Sequence, residues 1–563
     1  MRSMRRKHPA AATVRVARRV SAARAVTAAA MVVGLGTGAA LLPAPATAQA
    51  PSTLAVAAPQ AASPPGLGPA GTATVHGDAA STDTLPGRGP GTNPAVASAL
   101  TGATCSTVFV GTDGFPVALC TSYVGLAPPT PLAPTVKLFH PDTAAVLAEV
   151  QLAKGALLGG VYGYLDDRDR VVVADGNRRL LAVGHERTDA GPWRMTVDVL
   201  ADLSRAVPAG DAVTGLMPAF DGRVWFATSG GVVGTVRPGG HDDSDDDDEL
   251  RSLALPAGEK ITNGLTVRPG GASVITTRAL YEIDSSEDGT PSVRWRRGYE
   301  VGQARKPGLL AHGSGTTPTY FGPGDSLVAI TDDAEHPELI VLRRDDGSQL
   351  CRMPAFATTL RPDSAATDGV LIDGPSATEN SIIATGNALV LVNTYGFEYP
   401  PFAVDGPAVP PSAPYTGGMT RIDVRSDGAG GPDGVSVGVG AGDDACSRAW
   451  TSLARTASLP KLTTGDGQIH ALAYGPPRVL SAPGSATDPG LASALDQGLA
   501  QKFGPVDVTS TDVETGREVA RSFLGHAPLD EPMELTGTIA SRGDAPGVMW
   551  QPTLTRMLRI GPA

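Results

Sequence analysis

Residues 213–228 read VTGLMPAFDGRVWFAT, and residues 459–473 read LPKLTTGDGQIHALA. Each is a short strand-like run opening on small or polar residues, then an Asp/Gly turn, then a stronger apolar run. The same shape recurs in LGGVYGYLDDRDRVVVAD (158–175), ITNGLTVRPGGASVITT (261–277), TPTYFGPGDSLVAIT (317–331), TENSIIATGNALVLVN (378–393) and LTGTIASRGDAPGVMW (535–550). A less regular copy, STVFVGTDGFPVALC, covers 106–120. Most units continue into a third run, such as ALYEI at 279 or ELIVL at 338. Some add a fourth, as in ETGREVARSF at 514. A four-stranded sheet has two faces and cannot bury both alone. Stacking such sheets around an axis buries them in turn, and closing the ring leaves only short edges. The pattern therefore predicts an all-β protein, a β-propeller of four-stranded antiparallel blades, with eight blades favoured over seven. A β-helix would repeat at a far shorter period, and two sandwiches would not repeat in this way. MLRI at 557–560 reads as a third strand, which leaves the last blade to be completed by a strand from the N-terminal side.

The repeats occupy 104–563. Residues 1–24 carry eight basic residues and no acid, an apolar run spans Ala25 to Leu42, and Ala46-Thr47-Ala48 or Ala48-Gln49-Ala50 offers a cleavage site. That layout predicts an export signal over 1–50, with an uncleaved anchor as the alternative. Residues 51–103 are rich in Pro, Ala, Gly, Ser and Thr and predict a disordered tether, because they offer little surface to bury. Eight of the 45 basic residues and none of the 57 acidic ones fall in the first 50. The remainder has 37 basic against 57 acidic residues, which argues against nucleic acid and anionic membranes as partners. No later stretch is apolar enough to span a bilayer.

Four cysteines, Cys105, Cys120, Cys351 and Cys446, form no CxxC and lie near no His at zinc spacing. An even count in an exported chain reads as disulfides. The favoured pairing, among three, is Cys105 with Cys120 in one hairpin and Cys351 with Cys446 between neighbouring units.

The units, with the turns Asp512-Val-Glu-Thr-Gly516 and His140-Pro-Asp-Thr143, resemble the quinoprotein-like and gluconolactonase/strictosidine-synthase-like propellers of secreted bacterial proteins. Quinone enzymes of that kind hold their cofactor with a stacking Trp, an adjacent cysteine pair and calcium ligands. The five Trp here include no such set and no Cys-Cys pair occurs, so no quinone is expected. Gluconolactonase-like propellers hold a divalent cation in the channel with Glu and Asn or Asp from different blades.

In a propeller the first strand of each blade lines the central channel. That register places Asp211, Thr214, Asn263, Glu379, Asn380, Lys461 and Thr536 around one mouth. Asp211, Asn263, Glu379 and Asn380 offer oxygen ligands for a cation such as calcium, which could polarise a carbonyl as a Lewis acid. The plainer reading is that polar strand entries line a hydrated channel. The functional expectation is an extracytoplasmic propeller, non-enzymatic, binding a small ligand or a surface protein at its channel face. The alternative is a metal-dependent hydrolase of small lactones or esters. A third reading is a cell-surface scaffold with 51–103 giving reach.

Two motifs are set aside. Gly324-Asp325-Ser326-Leu327 spells an esterase signature, with Asp333 and His336 nearby, but it falls on a blade hairpin rather than after the first strand of an α/β fold. His241 to Glu249, HDDSDDDDE, lacks the glycine and terminal glutamate of an EF-hand loop and reads as a solvated loop between third and fourth strands. His470 falls on a strand. Only Leu491 to Lys502 shows a helical apolar period.

Overall fold

The computed structural model describes residues 62–124, 130–155, 162–188, 191–239, 250–356, 375–401, 403–415, 417–425, 445–475 and 501–562. The export signal, the acidic run 241–249 and residues 491–500 lie outside them. Gln501 to Phe503 are helical.

Eight sheets follow one another along the chain, each with four antiparallel strands in simple up-and-down order. Blade 1 spans 103–151, blade 2 164–202, blade 3 213–254, blade 4 265–298, blade 5 319–354, blade 6 383–452 and blade 7 461–526. Blade 8 takes three strands from 538–561, and Ala95–Leu100 pairs antiparallel with Arg556–Gly561 to complete it. The predicted eight-bladed propeller and its closure by an N-terminal strand are thus both observed.

Burial follows strand position. Second strands such as Val224–Thr228 and Leu327–Thr331 are buried at every residue, because a blade lies against each face. Outer strands such as Glu518–His526 carry charges and exposed residues. The core lies between blades. Phe321, Ala329 and Val341 of blade 5, for example, pack on Leu389, Leu391 and Ile422 of blade 6. Cys105–Cys120 ties the first two strands of blade 1, and Cys351–Cys446 ties the outer strands of blades 5 and 6, as the favoured pairing has it.

The tether reading of 51–103 needs correction from residue 62 onward. Residues 67–89 run inside the ring as a plug. Leu67 bridges Asp166 at the far end of blade 2's inner strand, and the chain climbs to His76. It turns at Gly77 and leaves beside Gly465 and Gly547. Inner strands of six blades make main-chain hydrogen bonds along this path, and blade 8 adds one from its first hairpin, Gly547 N to Arg88 O (3.1 Å). Examples are Leu165 N to Ala73 O (2.7 Å), Val267 N to Ala79 O (3.0 Å), Ala384 N to Thr82 O (2.8 Å) and Leu462 N to Asp83 O (3.0 Å). Blade 3 shares a buried apolar cluster with the plug, Met217 and Ala219 belonging to it together with Ala79. Thr84–Leu85 even adds a fifth, parallel strand to blade 7.

Small side chains are what allow a second chain path in so narrow a bore. A Cβ on Gly89 would stand 1.9 Å from His470 Nε2. Gly77, at the tip, has φ +84°, and a Cβ there would stand 2.6 Å from Leu85 Cδ2. The composition that suggested disorder is therefore the composition that fits. Ordering entropy is offset by backbone hydrogen bonds donated by a preformed ring rather than by large apolar side chains.

Candidate functional site

All seven residues singled out from sequence lie at or just before the start of an inner strand. They do not face one open channel, because the plug occupies it. Each is engaged locally. Thr214 donates to Ile261 O (3.1 Å), and Asn263 Nδ2 to Ser314 O (2.9 Å). Thr536 N donates to Ser106 O (3.2 Å). Asp211 Oδ1 accepts from Ala212 N and Gly230 N, both at 2.8 Å, and from Ser229 Oγ, so it braces its own hairpin. Glu379 accepts from Leu310 N (2.9 Å), and Asn380 Nδ2 donates to Glu534 (3.2 Å).

The four proposed cation ligands are thus distributed among four different partner sets. Among the described residues no group of three or more His, Cys, Asp or Glu is arranged to hold a metal ion. Burial, with Asp333 acting in the same sense, lifts Glu379 to about 8, against the hydrogen bond from Leu310 and the pull of Arg305. An ion at Glu379 would have to displace the proton held there at neutral pH, and among the described residues no group of acidic, His or Cys side chains is gathered there to share it.

Lys461 has the most consequential partners. Its Nζ reaches Val75 O (2.6 Å) and the Asp83 carboxylate, both in the plug. Asp83 also meets His76 Nδ1 at 3.2 Å, and His76 contacts Ser381 Oγ (2.8 Å) and Thr317 Oγ1 (3.2 Å). Burial alone would raise Asp83, but Lys461 and His76 overcome it and hold the carboxyl at about 2. A buried ion pair with satisfied hydrogen bonds therefore locks the plug tip to blades 5, 6 and 7. His76 and Asp83 were missed from sequence because they sit in the stretch taken as tether.

Two further carboxyls had no sequence signal. Glu531 and Glu534 lie in the connection from blade 7 to blade 8. Tyr474 OH donates to Glu531 (2.5 Å), and burial holds Glu531 at about 7 and Glu534 at about 8. Hydrogen bonds from Tyr474 to Glu531 and from Asn380 to Glu534 act in the opposite sense.

Elsewhere, Ser326 closes the short turn after Pro323–Asp325, and Asp333 lies beyond the other end of strand Leu327–Thr331. At ~3.3 Å per residue the two are far apart. Ser326 and Asp333 thus stand too far apart to belong to one triad. His470 is fully buried, between Thr463 Oγ1 and Ser510 Oγ, each at 2.9 Å.

No family model matches the chain. A relative, an uncharacterized protein of Archaeoglobus fulgidus, is 33% identical over 151 residues, 25% of this chain and 27% of that protein. The chain therefore spans about a quarter of that relative's length. Among solved structures, Saccharomyces cerevisiae Sqt1 is similar at 10% identity over 84% of this chain and 100% of that one, with TM-score 0.43. BamB from Moraxella catarrhalis is similar at 10% identity over 69% of this chain and 95% of that one, with TM-score 0.31. The computationally designed Ika8 protein gives 10% identity, 85% and 100% coverage, and TM-score 0.40. Likeness at these identities concerns the fold alone. Among the described residues no helix is long and apolar enough to cross a membrane.

Proposed function

We propose that the protein is an extracytoplasmic binding propeller that takes a small ligand or a protein partner on the face where its inner strands begin, without catalysing a reaction. The observation that carries this reading is the self-filled bore. With residues 67–89 inside the ring, a ligand is left the face rather than the channel. Long connections gather on that face, at 299–318, 393–418 and 527–537. Loops held by a rigid scaffold are where binding residues concentrate. Two disulfides are compatible with an oxidising compartment.

The test is a calorimetric screen of the purified protein against sugars, amines, lactones, esters and divalent cations. Each hit is repeated with Asn380→Ala on this face and Arg542→Ala on the opposite one. Binding that weakens at least tenfold in the first variant and holds in the second supports the reading. Turnover of a lactone or ester, or dependence on Arg542, overturns it.

A further inference from the structure

Ten carboxyl side chains among the described residues are buried. Eight of them meet a lysine or arginine; Asp333 has Lys306 at 3.1 Å, Asp332 has Arg352 at 2.8 Å, and Glu282 lies against Arg268. The other two are Glu531 and Glu534, each 8% exposed, and among the described residues neither has a basic partner. They stand in one connection, where Met533 and Glu534 hold left-handed φ of 54° and 53°. That conformation costs ~1–3 kcal/mol for a residue with a side chain and persists where surrounding contacts impose it. Here Glu534 N donates to Ala457 O at 2.8 Å.

Polar atoms are left over at the same place. Glu531 Oε1 accepts from Tyr474 OH and from Met533 N (3.0 Å), while Oε2 is buried without a partner. The hydroxyl of Tyr399 is likewise buried and unpartnered. Glu534 acts electrostatically on the phenols of Tyr399, Tyr415 and Tyr474. Phe397 joins the group, its ring centroid 4.8 Å from Tyr399, 5.5 Å from Tyr415 and 6.5 Å from Tyr474.

Burying a carboxylate without a counter-charge is expensive; eight of the ten avoid it by pairing, while Asp78 and Glu379 are, like Glu531 and Glu534, raised by burial instead. What the two carboxyls lack is a basic side chain paired to them; Arg455 acts on the phenol of Tyr415. An inorganic divalent ion would find two carboxylates and gain nothing from the rings. An organic cation would compensate both acids, donate to Glu531 Oε2 if it carries N–H or O–H groups, and lie against aromatic faces.

We propose that Glu531 and Glu534, with the rings of Tyr399, Tyr415 and Tyr474, form a binding site for a small organic ammonium ion. The proposal rests on the entry-face reading above and names its ligand class. The groups facing the two carboxyls are Tyr474, Tyr415, Tyr399, Asn380 and Thr456, together with Met533 N; the two acids also act on each other, and Arg455 acts on Tyr415.

The experiment titrates purified protein with choline, trimethylammonium and ethylammonium, and with 3,3-dimethyl-1-butanol as the neutral isostere of choline, at matched ionic strength. At least one cation should bind tenfold or more tighter than the isostere and lose that advantage in Glu531→Gln and Glu534→Gln. Should those variants fail to fold, the wild type still decides. Binding near pH 7.5 should release protons, read from the dependence of the heat on buffer ionisation. No binding by any cation, equal binding of the isostere, no proton release, or binding indifferent to both variants overturns the proposal. A neutral ligand that depends on Asn380 would overturn it while leaving the entry-face reading intact.

Discussion

The plug offers the sharpest test of how the ring is held. Lys461 is 2% exposed and Asp83 is fully buried. Lys461→Met keeps most of the aliphatic stem and removes the ammonium. Asp83 then retains His76 as its remaining side-chain partner, and Val75 O loses its donor. At ~4 Å and an effective dielectric of ~20 the lost attraction is ~4 kcal/mol. Breaking one side of a buried pair typically costs ~3–5 kcal/mol. Unfolding entropy of ~2.1 cal/mol/K per residue over residues 62–562 makes each kcal/mol worth about 1 °C. The expected loss in Tm is therefore about 3–5 °C.

The assay is scanning calorimetry of wild type, Lys461→Met, Asp83→Asn and the double variant, with limited proteolysis of 62–94 alongside. Removing both charges leaves no stranded carboxylate, so the double variant should recover about half or more of the loss. The plug bonds inner strands around the ring, so cleavage within it should accelerate in step with the fall in Tm. A Lys461→Met protein melting within about 1 °C of wild type, with its plug as resistant as before, would refute the claim that the pair holds the plug. A double variant no better than the single one would refute the electrostatic explanation.

Other outcomes follow from the same geometry. Replacing Cys351 and Cys446 by Ser opens a loop of 95 residues and should cost about 4–5 kcal/mol. Replacing Cys105 and Cys120, 15 apart, should cost about 3, both read from denaturant titration under non-reducing conditions. Gly89→Ala forces a methyl into His470 and should destabilise by more than about 1 kcal/mol, where Gly91→Ala, with open space at its Cβ but φ +87°, bears the backbone strain alone. Glu531 and Glu534 are raised in the folded state, to about 7 and about 8. Their stabilisation is complete below the unfolded value near 4.5 and is lost as pH rises through 7 to 8. Tm should fall between pH 5 and 9, and Glu534→Gln should flatten that slope; an unchanged slope would show that Glu534 does not titrate there.

Much of the ring was legible because the repeat is carried by strand pattern. Runs such as VWFAT and LVAIT can be buried on both faces only between neighbouring sheets, and the missing fourth strand after MLRI requires a donor from elsewhere in the chain. The inner-strand entries were legible for the same reason, since register along a strand follows from alternation. Partners were not. Thr214, Asn263 and Thr536 bond across to neighbouring blades, and Asn380 bonds to a glutamate 154 residues away. No local pattern carries such separations. Glu531 and Glu534 lie in a connection, where neither period nor turn chemistry fixes position, and their character comes from what is absent around them.

The plug marks a failure of a different kind. Low hydrophobicity predicts disorder on the assumption that a segment must supply its own buried surface. Residues 67–89 supply little and instead complete a surface that other residues have built. Ala73, Ala79 and Leu85 are almost fully buried, and Thr84 Oγ1 donates to Ala384 O at 2.7 Å across 300 residues of sequence. Threonine, alanine and glycine suit that role because they lose little side-chain entropy and let two backbones approach. The same logic links the plug to the candidate site. A ring whose polar inner edge is satisfied from within has no open bore to offer a ligand. Glu531 and Glu534 lie outside the bore, in the connection from blade 7 to blade 8.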